Sequence, residues 1–93
     1  MTTTRTLFDK ARHDFEAVAA AVAAYEGEGV MFDALACFEQ HRAELLLATP
    51  APTLADVLVK LNAWRSIEAG DTRDMIDLLA ADVERLLAEG AKQ

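Results

Sequence analysis

The two prolines of this chain, Pro50 and Pro52, limit its fold more than any other feature. Proline fixes its own φ angle and pushes the preceding residue away from helical geometry, so no helix is expected to run through this point. Thr53 follows as a candidate N-cap, and Asp56 stands at the position where a carboxylate favours a helix start. The sequence therefore predicts two helical halves joined by a stiff bend over residues 49–53.

The composition is that of one small globular domain with an acidic surface. The chain has 93 residues, of which 53% are hydrophobic and 27% charged, and its formal net charge is −7. This charge argues against direct binding to nucleic acid or to an anionic membrane, because both require basic patches. It permits docking to a basic protein partner.

The expected location is the cytoplasm. Cys37 is the only cysteine, so an internal disulfide is impossible. The N-terminal residues lead into no apolar segment of the signal-peptide type, and the longest apolar run is too short to cross a bilayer. We expect residues 1–93 to form a single helical domain.

Apolar residues recur at helical spacing in four segments, which predicts an all-α fold. The predicted helices cover residues of about 6–25, 30–48, 54–69 and 72–89. Thr6 is the expected N-cap of the first helix, and two glycines in residues 26–29 predict a turn after it. Gly70 and Asp71 are the expected caps between the last two helices. The simplest arrangement is two antiparallel helical hairpins joined by the proline bend.

The apolar stripe of each helix indicates the face that we expect to be buried. The stripes consist of Phe8, Ala11, Phe15, Val18, Val22 and Tyr25 in the first helix, Val30, Ala34, Phe38 and Leu45 in the second, Leu54, Val57, Leu58, Leu61 and Trp64 in the third, and Met75, Ile76, Leu79, Val83, Leu86 and Leu87 in the fourth. Further apolar residues fall outside them: Phe32, Leu47, Val59, Ile67 and Leu78. One small core cannot cover both sets, so a second apolar surface is expected.

One segment resembles a known group of proteins. Residues 49–61, TPAPTLADVLVKL, resemble a stretch of short helical proteins encoded in proteobacterial genomes and prophages. In those proteins a Thr-Pro-Ala-x-Thr-Leu segment likewise follows an alanine-rich amphipathic region and precedes an amphipathic helix. The resemblance implies a helical protein of bacterial or phage origin. It implies no activity and no site residues, because those proteins are uncharacterised.

Two groups of residues could in principle carry chemistry. Cys37 and His41 lie four residues apart on the second helix, a spacing that can place two ligands on one zinc ion. A zinc site needs three or four ligands, and a nucleophilic pair needs an orienting residue, and neither is visible. Carboxylates also recur along the fourth helix and could hold a divalent cation: Asp71, Asp74, Asp77 and Glu84. A solvated helix face explains these better, so we expect no metal, cofactor or catalytic residue.

The sequence therefore favours a protein-interaction module that is not an enzyme and that self-associates as a homodimer. The expected interface residues are Phe32, Leu47, Trp64 and Arg65, with the first hairpin contributing most of the contact. Tryptophan and arginine are enriched at binding hot spots, although Trp64 also continues a core stripe. Two alternatives stay open. One is an acidic inhibitor or regulator of phage type, similar to anti-CRISPR proteins, that binds a basic host surface. The other is a small metal-dependent hydrolase.

Overall fold

The computed structural model describes residues 3–67 and 72–91, and within them every regular element is a helix. The helices are α1 (Thr4–Ala24), α2 (Val30–Ala48), α3 (Leu54–Ile67) and α4 (Thr72–Ala91). The predicted all-α, four-helix class is confirmed. α1 packs against α2, while α2, α3 and α4 contact one another around the bend. The antiparallel pairing within each half stays a prediction.

The helix limits differ from the predicted ones mainly at the ends. Thr3, and not Thr6, caps α1, because the Thr3 hydroxyl accepts a hydrogen bond of 3.1 Å from the Thr6 amide. α2 has the predicted bounds. α4 continues through Gly90 to Ala91, where a stop had been expected. The predicted end of α3 beyond Ile67, with the caps Gly70 and Asp71, lies outside the described residues.

Both predicted helix breaks occur where backbone chemistry requires them. Gly27 and Gly29 have φ angles of 142° and 94°, which residues with a Cβ rarely adopt. In the second break, the Thr53 hydroxyl accepts from the Asp56 amide at 3.3 Å, and the Asp56 carboxylate accepts from the Thr53 amide at 3.1 Å. This reciprocal capping box confirms Thr53 as the N-cap of α3.

The core is small and lies where α1, α2, the bend and α3 meet. Its buried members are Phe8, Phe15, Ala43, Leu46, Ala51 and Ala63. The molecule measures 52 × 32 × 17 Å along its principal axes. Its shortest dimension accommodates no more than two layers of helices, since a helix with side chains is about 10–12 Å wide.

The predicted buried face is right for α1, wrong for α2 and only partly right for α3, where Val57 packs against the core. Phe8 and Phe15 lie in the core as expected. In α2 the predicted stripe is largely exposed, and Ala43, Leu46 and Leu47 are buried instead. In α3 Leu54 and Leu58 are exposed, and the buried residues are Asp56, Lys60 and Ala63.

The reason is that the hydrophobic pattern does not select a face in either helix. Apolar residues surround most of the circumference of α2 and α3, so turning them costs little apolar burial. Polar partners, which the pattern does not report, then decide which side faces inward. The predicted stripe of α4 is also only partly covered, with Ile76 and Leu87 more than half exposed.

The capping box gives a first prediction. Thr53→Ala should lower the free energy of unfolding by about 1 kcal/mol, because the Asp56 amide loses its acceptor. Chemical denaturation of the variant and the parent protein measures this difference. Thr4→Ala, an exposed change in the first turn of α1, is the control and should stay within about 0.5 kcal/mol of the parent. Equal effects of the two changes would contradict the capping role.

Candidate functional site

A buried ion pair joins three helices beside the bend. The Lys60 ammonium of α3 donates to the Asp82 carboxylate of α4 at 2.5 Å and to the Leu47 carbonyl of α2 at 2.9 Å. Lys60 is 1% exposed and Asp82 6% exposed. The Leu47 carbonyl is one of the last four of α2, which have no partner within a helix. Lys60 therefore satisfies a helix end and a buried carboxylate together.

The same cluster holds the peptide groups of the bend. Ala51 is fully buried between the two prolines, and its amide donates to Asp82 Oδ1 at 3.2 Å. The Arg85 guanidinium donates to the Ala51 carbonyl and lies 3.6 Å from the same carboxylate oxygen, Asp82 Oδ1. Asp82 and Arg85, three residues apart on α4, thus form hydrogen bonds with both the amide and the carbonyl of Ala51.

A second ion pair fixes the start of α3 against α1. The Arg5 guanidinium donates to both carboxylate oxygens of Asp56, at 3.2 and 2.7 Å. Burial by itself would raise the pKa of Asp56, but hydrogen bonds from Arg5 and Thr53 outweigh burial and hold that pKa below its usual value. Asp56 therefore stays ionised in its cap.

The buried charges of this cluster are paired with each other. The ammonium of Lys60 and the carboxylate of Asp82 form an ion pair inside the protein. A paired and hydrogen-bonded arrangement is what a charge needs in order to be buried. The cluster positions the surfaces described next.

The sequence-predicted chemical residues lie apart from this cluster. Cys37 and His41 are both exposed on the outer side of α2. On α4, Asp77 and Glu84 are exposed, while the side chains of Asp71 and Asp74 lie outside the described residues. No group of three or more metal-ligating side chains occurs among the residues that the structure describes.

The four predicted interface residues have different positions. Leu47 is 5% exposed and belongs to the interior of the monomer, so its expected place outside the core is wrong. Phe32 is partly exposed and packs near Tyr25, with ring centroids 6.3 Å apart. Trp64 is half-buried with its indole nitrogen covered, and Arg65 is exposed at the end of α3. An interface role for Phe32, Trp64 and Arg65 stays a prediction.

The outer side of α3 carries a straight ridge that the sequence had placed inside. We call it the α3 ridge, and it consists of Leu54, Leu58, Leu61 and Arg65. Leu54 is 54% and Leu58 59% exposed, and Leu61 is half-buried. The steps of four, three and four residues are those of the d and a positions of a heptad. Such a seam is suited to packing against another helix.

The α3 ridge also lacks negative charge. Asp56 is the only acidic residue of α3, and it is buried against Arg5. The chain as a whole carries 16 acidic residues. The α3 ridge is therefore an apolar strip with one guanidinium, on a chain of net charge −7.

A second apolar area lines a shallow groove between α1 and α2. Leu7 and Leu45 are each about half exposed there, and the Arg42 guanidinium lies 4.8 Å from the centre of the Phe38 ring. Lys10 and Asp14 form an ion pair of 2.8 Å on its wall. This groove exposes less apolar surface than the α3 ridge does. Charged side chains of both signs flank it.

Sequence reasoning missed the residues that organise the structure: Arg5, Lys60, Asp82 and Arg85. Lys60 gives the clearest signal, because it is a lone cation inside the apolar run VLVKL. Asp82 and Arg85 show only a spacing of three residues, which occurs by chance in many helices. Nothing in the sequence pairs any of them with its partner.

Comparison with known proteins adds no relative. No protein-family model, curated protein or solved structure matches this chain. Within the described residues, none of the helices is both long and apolar enough to cross a membrane. Arguments about function therefore come from the surfaces themselves.

The Arg5–Asp56 pair gives a prediction on pH. Because the pKa of Asp56 is lower in the folded chain than in the unfolded chain, its contribution to stability is present above about pH 4 and is lost as the pH falls further. Asp56→Asn should lower the free energy of unfolding at pH 6. It should also make that free energy fall less between pH 6 and pH 3 than it does in the parent protein. Urea unfolding at a series of pH values measures this. Asp9→Asn, the exposed second partner of Arg5, is the control and should keep the parental slope.

Proposed function

We propose that this chain is a small acidic protein-interaction module that self-associates through the α3 ridge and has no catalytic activity. The observation that carries the proposal is the outward position of Leu54 and Leu58, both more than half exposed. Exposed leucines in heptad register are costly in water and gain free energy when they pack against a second apolar surface. The partner that we propose is the α3 ridge of a second copy.

Charge supports a second copy as the occupant. Two chains of net charge −7 repel each other over most of their surfaces. The exposed side of α3 presents no carboxylate, so two copies can approach there with the least repulsion. An antiparallel, two-fold arrangement also keeps the two Arg65 guanidinium groups at opposite ends of the contact.

The thin shape of the molecule also supports a second copy as the partner of the α3 ridge. With a shortest dimension of 17 Å, the monomer cannot enclose α3 on all sides. Covering the ridge with the same ridge of a second copy would add the missing layer. The interface would resemble the core of a helical bundle divided in two.

The magnitudes predict a weak dimer. Full burial of one leucine contributes roughly 1.5–3 kcal/mol, and about half of each ridge leucine is available to a partner. The four exposed leucines of a symmetric pair therefore offer on the order of 4 kcal/mol, which is near the lower bound of the cost of association. The exposed leucines by themselves only offset this cost, so we expect a dimer that becomes populated only toward millimolar protein concentration.

Self-association is tested by sedimentation velocity from micromolar to millimolar concentration. The parent protein should shift from monomer toward dimer over this range. Leu58→Glu should weaken the dimer at least about tenfold, because a carboxylate would be buried on each side of the seam. Circular dichroism should show the helical content unchanged.

Leu87→Glu is the matched control, because Leu87 is 62% exposed on α4 and lies off the ridge. It should leave the dimer intact. Loss of the dimer in both variants would mean that the α3 ridge is not the contact. A parent protein that is monomeric throughout would overturn self-association, and the acidic regulator of a basic partner would replace it.

A further inference from the structure

α4 is attached to the rest of the protein in a different way from the other helices. The buried apolar core draws its residues from α1, α2, the bend and α3, and none from the described side chains of α4, residues 76–90. Within that part of α4, Asp82 is the buried residue, and Leu79, Val83 and Leu86 are only half-buried. Within its described side chains, the most deeply buried group that α4 contributes is thus a charged one.

The polar contacts of α4 form a compact recognition site. The rest of the protein presents the Lys60 ammonium, the Ala51 amide and the Ala51 carbonyl, which are two donors and one acceptor. α4 supplies the complementary groups, which are the acceptor carboxylate of Asp82 and, three residues later, the donor guanidinium of Arg85. Residues three apart lie on the same side of a helix, so one helix face supplies both groups.

We propose that the end of α2, the bend and α3 form a helix-docking cleft that reads a carboxylate and a guanidinium three residues apart, and that α4 occupies this cleft reversibly. When α4 leaves, water can hydrate Lys60 and the peptide groups of Ala51. The core around Phe8, Phe15 and Leu46 stays closed, because the described side chains of α4, residues 76–90, contribute no buried apolar residue to it. Opening of α4 therefore costs less than unfolding of the domain.

Hydrogen exchange of the full chain, followed by mass spectrometry, tests this proposal. In the parent protein, amides of residues 76–90 should exchange faster than those of residues 8–19 and 35–47. Asp82→Asn should raise exchange in α4 about a hundredfold, because it leaves the Lys60 ammonium buried without its countercharge. Exchange in α1 and in the middle of α2 should change far less.

Asp77→Asn is the matched control, since Asp77 is an exposed carboxylate on the same helix. It makes the same change of charge and should leave exchange in α4 at the parental rate. Equal exchange in the two variants would overturn the proposal, because the buried carboxylate would then have no special role in docking.

Arg85→Gln serves if Asp82→Asn fails to fold. Arg85 is one-third exposed, and Arg85→Gln leaves the buried Lys60–Asp82 pair intact. It removes the donor to the Ala51 carbonyl and the charge that faces Asp82 and Glu89. Exchange in α4 should rise about tenfold. A parallel rise throughout α1 and α2 would show that α4 and the core open as one unit, and the reversible cleft would be rejected.

Discussion

The buried pair between Lys60 and Asp82 is the interaction on which the rest of the structure depends. It lies where α2 ends, where the chain bends at Ala51 and where α3 and α4 meet, and it supplies each of these with a hydrogen-bond partner. Proline denies the bend its helical hydrogen bonds, so the peptide groups of Ala51 need partners elsewhere. Asp82 and Arg85 provide them. A polar cluster of this kind is stable because each buried group within it is matched by another.

The cluster also decides which side of α3 faces water. Lys60 and Asp56 must both point inward, one to reach α4 and the end of α2, the other to pair with Arg5. With those two residues inside, the opposite side of the helix, with Leu54 and Leu58, must lie outside. The exposed α3 ridge is therefore a geometric consequence of the ion pairs. The protein satisfies its buried charges within one chain and leaves an apolar seam exposed, and this seam is the surface that we propose for contact with a second copy.

The two proposals concern different parts of this arrangement. The α3 ridge is a preformed surface on a helix held by ion pairs at Asp56 and Lys60. The cleft proposed for α4 lies on the other side of α3, where Asp82 and Arg85 contact Lys60 and Ala51. Opening of α4 would break the Lys60–Asp82 pair but leave the Arg5–Asp56 pair in place, so one of the two ion pairs that hold α3 would remain. The net charge of −7 confines close approach between copies to surfaces without carboxylates.

Much of the fold could be read from the sequence, because its signals are local. Pro50, Pro52 and the Thr53–Asp56 capping box act within a few residues, and they give the bend and the start of α3. The periodicity of α1 is strongly one-sided, so Phe8 and Phe15 were predicted in the core. α2 and α3 are apolar on nearly all sides, and for such helices the hydrophobic pattern specifies a helix but not its rotation. That rotation depends on contacts such as Lys60 with Asp82 and Arg5 with Asp56, which are 22 and 51 residues apart. The sequence by itself determined the helices and the bend, while the tertiary structure decided which faces are buried, because only the packed chain brings distant charges together.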